Sequence, residues 1–298
     1  MKILATSDIH QAPSKWKDLI KVCQTNPFDI IIIAGDLFPK DTRITDQAQF
    51  FPKIIKYAKK IKDTGAKLVL MLGNDDNQRI IPMMEKADQD GLLHFVSEKV
   101  IEIDGHEFIG MPYVPDYPFG YKFWCRGETS SDLRMSSIQY CDPLLVNDQN
   151  KMTTIQNYAV YLREKKKIWD VLMDLKDQVK NMSKSIWLIH APPSNLNLDV
   201  CANGHRVGSH AVLKFIKENQ PLLTIHGHIH ESPHYNGYVW FNNVEKTICV
   251  QSGQIDYRVY YSTIDIQDGN IIYMKHSIYG DDLWNNNIHS INTKTRSK

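Results

Sequence analysis

The stretch "FDIIIIAGD", residues 28–36, decides how this chain is read. Its four consecutive isoleucines, Ile30 to Ile33, put apolar side chains on both faces of an extended strand. Such a run fits the middle of a sheet covered on both sides. It stops at Gly35 and Asp36, a carboxylate at the strand's carboxyl end. The same pattern recurs on either side. Upstream, "KILATSD" (2–8) is a short strand, and the helix after it carries Trp16, Leu19, Ile20 and Cys23, with Ser14 as its N-cap. Downstream, a helix over about 45–63 ends in a lysine-rich stretch before Gly65, and "AKLVLMLGN" (66–74) is a third buried strand. Strand and helix alternate through the first 75 residues, which predicts parallel pairing with right-handed crossovers.

Further along the elements shorten. "LLHFV", "VIEID" and "HEFIGM" are strands, the last two joined by the hairpin dipeptide Asp104-Gly105. Residues 113–152 show no periodicity, and a stretch of that kind inside a compact domain is functional or disordered. Ile155, Tyr158, Leu162, Trp169, Leu172, Leu175 and Val179 mark one face of a long helix, with the Lys165–Lys167 run on its solvated side. "SIWLIHAPP" (185–193) is a strand halted by two prolines, and Ser209 caps a helix that Pro221 terminates. In "LLTIHGHIHE" (222–231) an apolar strand runs out into His226, His228 and His230 at alternate positions. "KTICVQSG", "RVYYSTIDI" and "IIYMKH" read as an antiparallel meander, its last pair turned by Asp268-Gly269. The expected organisation is one domain over residues 1–283 with an inserted loop and helix at about 113–182, then a polar tail, 284–298, that frays.

The bulk numbers are those of a soluble enzyme: 298 residues, 42% hydrophobic, 23% charged and a net charge of +1. Nothing here carries a chain-wide electrostatic footprint for nucleic acid or membrane. The five cysteines are scattered and contain no CxxC, which argues against a disulfide framework and a thiolate zinc site. The first apolar stretch is too short for a signal peptide, and no run of about 18 apolar residues occurs, so the expected location is the cytoplasm.

Five polar clusters sit where apolar strands end. They are Asp8 and His10 in "SDIH", Asp36 in "GDL", Asn74 in "GNDD", His190 in "IHAPP", and His228 and His230 in "GHIH". Ligands of α/β sheets bind beyond the carboxyl ends of the strands, so the clusters are expected to converge. Oxygen and imidazole donors without thiolate suit Mn, Fe(II), Zn or Ni. Two aspartates, one asparagine and four histidines can hold two divalent metal ions if one carboxylate bridges. Two carboxylates neutralise only half of that charge, which leaves a site that attracts phosphate and acidifies water.

The ordered set D-x-H, GD, GN-x-D, H and GHxH resembles the calcineurin-like metallophosphoesterase superfamily, over a span from Asp8 to His230. The resemblance implies an α/β fold, a four-layer α/β/β/α sandwich of two mixed sheets with a dinuclear centre at one edge. Carried over by position, it implies that Asp8, His10 and His230 hold one ion, that Asn74, His190 and His228 hold the other, and that Asp36 bridges. The implied activity is hydrolysis of a small phosphoester by in-line attack of a metal-bridging hydroxide, with Mn expected to support it in vitro. A nuclease of the same superfamily and a non-catalytic scaffold of the same fold are the alternatives. Nucleic acid is not favoured as a partner, and no membrane association is expected.

One departure is informative. Many members have GNH(D/E), and here Asp75 stands where that histidine would be. A carboxylate beside a phosphate donates a proton only when protonated, and nearby cations oppose that. A leaving group of low pKa needs less proton help, so a phosphodiester is favoured over a monoester. His205 and His210 are the other candidate proton donors, and Arg206 the candidate phosphate fork beside Asn74. His226 is expected to pack behind the ligands, and His94, His106, His234, His276 and His289 to be ordinary surface or sheet residues. The aromatic segment "PYVPDYPFGYKFWC" (112–125) reads as a lid or substrate wall, a packed insertion or a self-association surface.

Overall fold

The computed structural model describes residues 1–10, 12–282, 284 and 285. The expected tail lies almost wholly outside the described residues, and so does His289. The first half of the chain runs β1 (Lys2–Thr6), α1 (Pro13–Thr25), β2 (Ile30–Ala34), α2 (Phe51–Lys62), β3 (Lys67–Met71), α3 (Ile81–Gln89) and β4 (His94–Phe95). β1 to β4 pair in parallel in that order, with Ile3 opposite Ile30 and Ile32 opposite Val69. The hairpin at Asp104-Gly105 forms between β5 (Val100–Ile103) and β6 (His106–Met111). An excursion then carries β7 (Leu144–Val146), β8 (Met152–Thr154), α4 (Tyr158–Glu164) and α5 (Ile168–Lys176) before β9 (Ser185–Ile189). The remainder is α6 (His210–Asn219), β10 (Leu223–His226), α7 (Ser232–Tyr235), β11 (Phe241–Val244), β12 (Thr247–Gln251), β13 (Ser262–Gln267) and β14 (Asn270–His276).

Two mixed six-stranded sheets result, ordered β14-β13-β1-β2-β3-β4 and β11-β12-β10-β9-β6-β5. They face each other across a core of alternate residues. Ile30, Ile32 and Ala34 of β2 point inward to meet Phe108, Ile186, Leu188 and Ile225 of the other sheet. Ile31 and Ile33 point outward to α1 and α2, where Trp16, Leu19, Ile54 and Ile61 cover them. On the far side α5 and α6 cover Trp187 and Ile189, with the Trp187 and Phe215 rings 4.6 Å apart. Helices, two sheets and helices make the four layers, and the isoleucine run is buried on both faces because it lies between two of them.

Several local expectations need correction. α1 begins at Pro13 with Ala12 as its N-cap, and the Ser14 hydroxyl instead donates to the Tyr257 carbonyl at 3.0 Å. The helix expected over 45–63 is a 3-10 stretch, Asp41–Phe50, followed by α2, because Pro52 fits only in the first turn of an α-helix. The helix expected over 155–179 is two helices broken at the lysine run, whose last member is buried. The C-terminal strands are not one meander. β12 lies parallel to β10 in the second sheet, whereas β13 crosses to the first sheet and lies antiparallel to β1. Ser209 does cap α6, accepting from the Val212 N–H at 3.1 Å.

Candidate metal centre

β1, β2 and β3 of one sheet and β9 and β10 of the other all end at the same rim, and each releases a short loop there. The turns are tight. Asp8, His10, Asp36 and His228 all take positive φ, at 53°, 47°, 53° and 69°. That region costs a non-glycine residue on the order of 1–3 kcal/mol, and such strain clusters at functional sites. Gly73 lets two loops close: a Cβ there would lie 2.6 Å from the Asp36 nitrogen and 2.7 Å from His190 Cε1.

The donor atoms converge. One nitrogen or oxygen from each of Asp8, His10, Asp36 and His230 lies within 4.8 Å of all the others. His10 Nε2 faces His230 Nε2 at 3.1 Å, and His230 Nε2 lies 3.3 Å from Asp8 Oδ1. On the other side of Asp36, Asn74 Oδ1 is 2.9 Å from His190 Nε2 and 2.5 Å from His228 Nδ1. Asp36 Oδ2 reaches both groups, 3.7 Å from His10 Nε2 and 3.4 Å from His190 Nε2.

This donor set fits cations. In octahedral geometry, bonds of about 2.1 Å put neighbouring ligand atoms about 3 Å apart, and the two facing imidazole nitrogens are 3.1 Å apart. The ring tautomers are set from behind: His190 Nδ1 faces the Ala34 carbonyl at 2.8 Å, which leaves Nε2 as the donor. Burial alone would raise the Asp36 pKa, but His190 and His10 hold it down at about 2. Asp8 is held low against the same burial by His230 and His190. Burial pushes His10 down to about 4 and His228 to about 3. Both carboxylates are therefore ionised and His10 and His228 neutral, whereas, against their burial, Asp36 raises His190 to about 9 and Asp8 raises His230, so those two rings would give up a proton when a cation binds.

The family comparison agrees with this geometry. The profile of the calcineurin-like phosphoesterases matches residues 1–232. The chain belongs to that family. A search of curated proteins found no match. Among solved structures, the protein TT1561 of Thermus thermophilus is 16% identical, with 93% of this chain and 97% of that chain covered and a TM-score of 0.55. A structure described as a novel archaeal phosphodiesterase is 14% identical over 93% of this chain and 98% of that one, with a TM-score of 0.44. The first likeness supports the calcineurin-like fold.

A cavity of about 440 Å³ opens beside the donor set of this calcineurin-like chain. Asp36, Asn74, His228 and His230 form its floor, with Lys40 and Asp75 beside them. Asp75 holds the floor in place: its N–H donates to Asp36 Oδ1 at 2.8 Å, and its carboxylate accepts from Asn74 Nδ2 at 3.0 Å. His205, Arg206 and His210 are exposed and do not line the cavity. His205 and Arg206 sit on a turn whose neighbours Cys201, Ala202, Asn203 and Val207 do line it. Arg206 lies 3.8 Å from Asp199, and the His210 N–H donates to Glu128 at 3.0 Å. His226 packs beneath the rim, its Nδ1 facing the Ile189 and Ala191 carbonyls at 2.9 and 3.0 Å.

Sequence reasoning missed Asp76. This buried carboxylate accepts the N–H groups of Gly73, Leu37 and Phe38 at 2.9, 3.1 and 2.9 Å, and so clamps the two loops that carry Asp36 and Asn74. The fourth residue of "GNDD" was the available signal, but nothing in its spacing said which backbone it would hold. The aperiodic 113–152 segment is also anchored, with Trp124 Nε1 donating to the Asp76 carbonyl at 2.6 Å.

Proposed function

We propose that the protein is a dinuclear-metal-dependent phosphodiesterase for small substrates. The carrying observation is that Asp36 lies within reach of two separate groups of donors. Asp8, His10 and His230 would hold one cation, Asn74, His190 and His228 the other, and Asp36 both. When bound, such cations supply Lewis acidity and a water of lowered pKa. The residues of the chain do the rest. Lys40, which lines the cavity beside that floor, draws the phosphate anion in and leaves it against the donor set. Asp76 and Gly73 keep the two central loops in contact. Asn74 is oriented by Asp75, which fixes its Oδ1 toward the histidines.

Preference for a diester with a good leaving group is supported by what lines the cavity. Its two imidazoles, His228 and His230, both belong to the donor set, and the Tyr117 hydroxyl already donates to the Tyr121 carbonyl. Asp75 is the remaining acid among the sequence candidates, and we assign it the positioning of Asn74 rather than proton transfer. The convergence of all seven donors supports an enzyme over a scaffold. Five unpaired thiols support a reducing compartment such as the cytoplasm.

The test is hydrolysis of p-nitrophenyl mono- and diesters with Mn added. Diester turnover is expected, lost with chelator and regained with Mn. Asp36→Ala should remove it, by about a thousandfold or more. Asp75→Ala should cost about 10–100-fold, because the backbone N–H to Asp36 survives that substitution. Equal losses in the two variants would show that Asp75 acts directly on the substrate.

A further inference from the structure

One wall of the cavity is aromatic, and phosphoester chemistry does not use it. The ring of Tyr117 meets the ring of His228 edge-on, with centroids 5.7 Å apart and planes at 70°. Phe119 follows at 6.2 Å from Tyr117, and Tyr140 at 5.6 Å from Phe119. All three line the cavity, so the rings form a stair that leads from a metal-set histidine out to solvent. Tyr117 is buried, whereas Phe119 is 58% and Tyr140 67% exposed.

The stair is rigid at its base. Beneath Tyr117 lies Lys122, whose fully buried ammonium is 4.6 Å from that ring's centre and 2.8 Å from the buried Asp116 carboxylate. Asp116 also accepts from the Tyr158 hydroxyl at 2.6 Å and the Ser136 N–H at 2.9 Å. Upper and lower steps are tied by the Tyr140 N–H donating to the Pro118 carbonyl at 2.9 Å. A buried lysine and aspartate are costly to desolvate unless they are paired, and here the pair holds a loop against the cavity. Lone exposed aromatic side chains are ordinary on protein surfaces. Two in mutual contact, continuous with a buried ring on a cavity wall, form a surface suited to a flat partner.

We propose that this cavity is the subsite for a planar aromatic group esterified to the substrate's phosphate, an inference that rests on the phosphoesterase reading above. The phosphate lies on the floor and the ring lies along Tyr117, Phe119 and Tyr140. Asn203 and Val207 also line the cavity. The substrate is then a phosphodiester with an aryl or nucleobase-bearing arm, and the stair selects it over an alkyl ester of the same charge.

The test uses four esters with one leaving group: the p-nitrophenyl phosphates of phenol, cyclohexanol, methanol and the 5′-hydroxyl of thymidine. In each, water adds to phosphorus and the bond to nitrophenolate breaks, so the arms differ only in the retained group. With Mn-loaded protein, kcat/KM for the phenyl or thymidine ester should exceed that for the cyclohexyl and methyl esters by about tenfold. Whichever ring ester is better names the source of the ring. A cyclohexyl ester turned over as well as both ring esters would overturn the proposal, since the wall would then be merely apolar. Phe119→Ala with Tyr140→Ala should bring the ring-to-cyclohexyl ratio close to one, and Phe119→Trp with Tyr140→Phe should keep it. A ratio unchanged in the double alanine variant also overturns the proposal. If no ester is hydrolysed, the phosphoesterase reading fails, and the subsite is judged by calorimetry with phenylphosphonate and methylphosphonate. About tenfold tighter binding of the phenyl compound supports the subsite and equal binding overturns it.

Discussion

At the residue scale, the site depends on close approach as much as on its donors. Gly73 does not take positive φ, so its role is space alone. Any side chain there meets Asp36 backbone nitrogen and His190 at under 3 Å, and both sit in a packed rim that has little room to yield. We expect Gly73→Ala to weaken Mn binding at least about tenfold and to cost about 1–3 kcal/mol of stability. Gly65→Ala is the control. Gly65 has φ +89° with nothing within 4 Å of a new Cβ, so the change should lower the melting temperature and leave Mn affinity alone. Calorimetric titration of Mn into both variants decides it, and unchanged affinity in Gly73→Ala would refute the account. The donors were legible in the sequence because each ends an apolar run, as Asp36 follows Ile30 to Ile33. Asp76 and Gly73 were not. Their partners, Phe38 and His190, are brought to them only by tertiary folding.

At the element scale, the sequence showed most of the longer helical segments, though not α3 or α7, and did not show where they break. The apolar spacing from Ile155 to Val179 continues through Lys165–Lys167, so periodicity alone reads one helix. The chain instead turns extended at Lys165 and Lys167, with ψ of 146° and 159°. Lys167 shows why this is stable. Its buried ammonium donates to the carbonyls of Leu162, Arg163 and Lys165 at 2.8, 2.6 and 2.5 Å, satisfying the end of α4 that an unbroken helix would have satisfied itself. Two lysines of one run therefore differ. Lys167→Met keeps the length and apolar stem but strands those carbonyls, and should destabilise by about 1–3 kcal/mol. Lys166 is exposed and pairs with exposed Asp174, so Lys166→Ala should change stability by less than about 0.5 kcal/mol. Urea midpoints of the two variants give the comparison; similar shifts would mean that the ammonium caps nothing. The strands carry a parallel lesson. Each strand from "KTICVQSG" onward was visible, but the partner of β13 was not, because alternation reports burial and says nothing of which sheet supplies it.

At the scale of the whole molecule, the candidate donor set at the rim exists only while two sheets stay in register, since each sheet contributes part of the donors. Apolar packing holds their faces together, and a polar stitch holds one end. His276, on β14 of the first sheet, faces the Ser252 carbonyl just beyond β12 of the second at 2.9 Å through Nε2. Its Nδ1 accepts from the Ile278 and Tyr279 N–H groups, each at 3.1 Å. The Ser252 hydroxyl in turn donates to the Ala5 carbonyl of β1 at 3.2 Å. Two N–H donors at Nδ1 require that nitrogen to be bare, so the stitch needs a neutral ring. Burial pushes the His276 pKa down to about 4, against about 6.5 in an unfolded chain. Between those values the unfolded chain binds the proton and the folded chain does not, so acid favours unfolding. The contribution is present in full above about pH 6.5 and is lost as pH falls toward 4, on the order of 3 kcal/mol in all. Other buried histidines titrate in the same window, so the informative quantity is a difference between variants. His276→Gln loses the titrating ring, and its stability should fall less steeply than wild type between pH 7 and pH 4.5. Parallel urea titrations at those two pH values measure both slopes, and identical slopes would mean that His276 is already free to protonate in the folded protein.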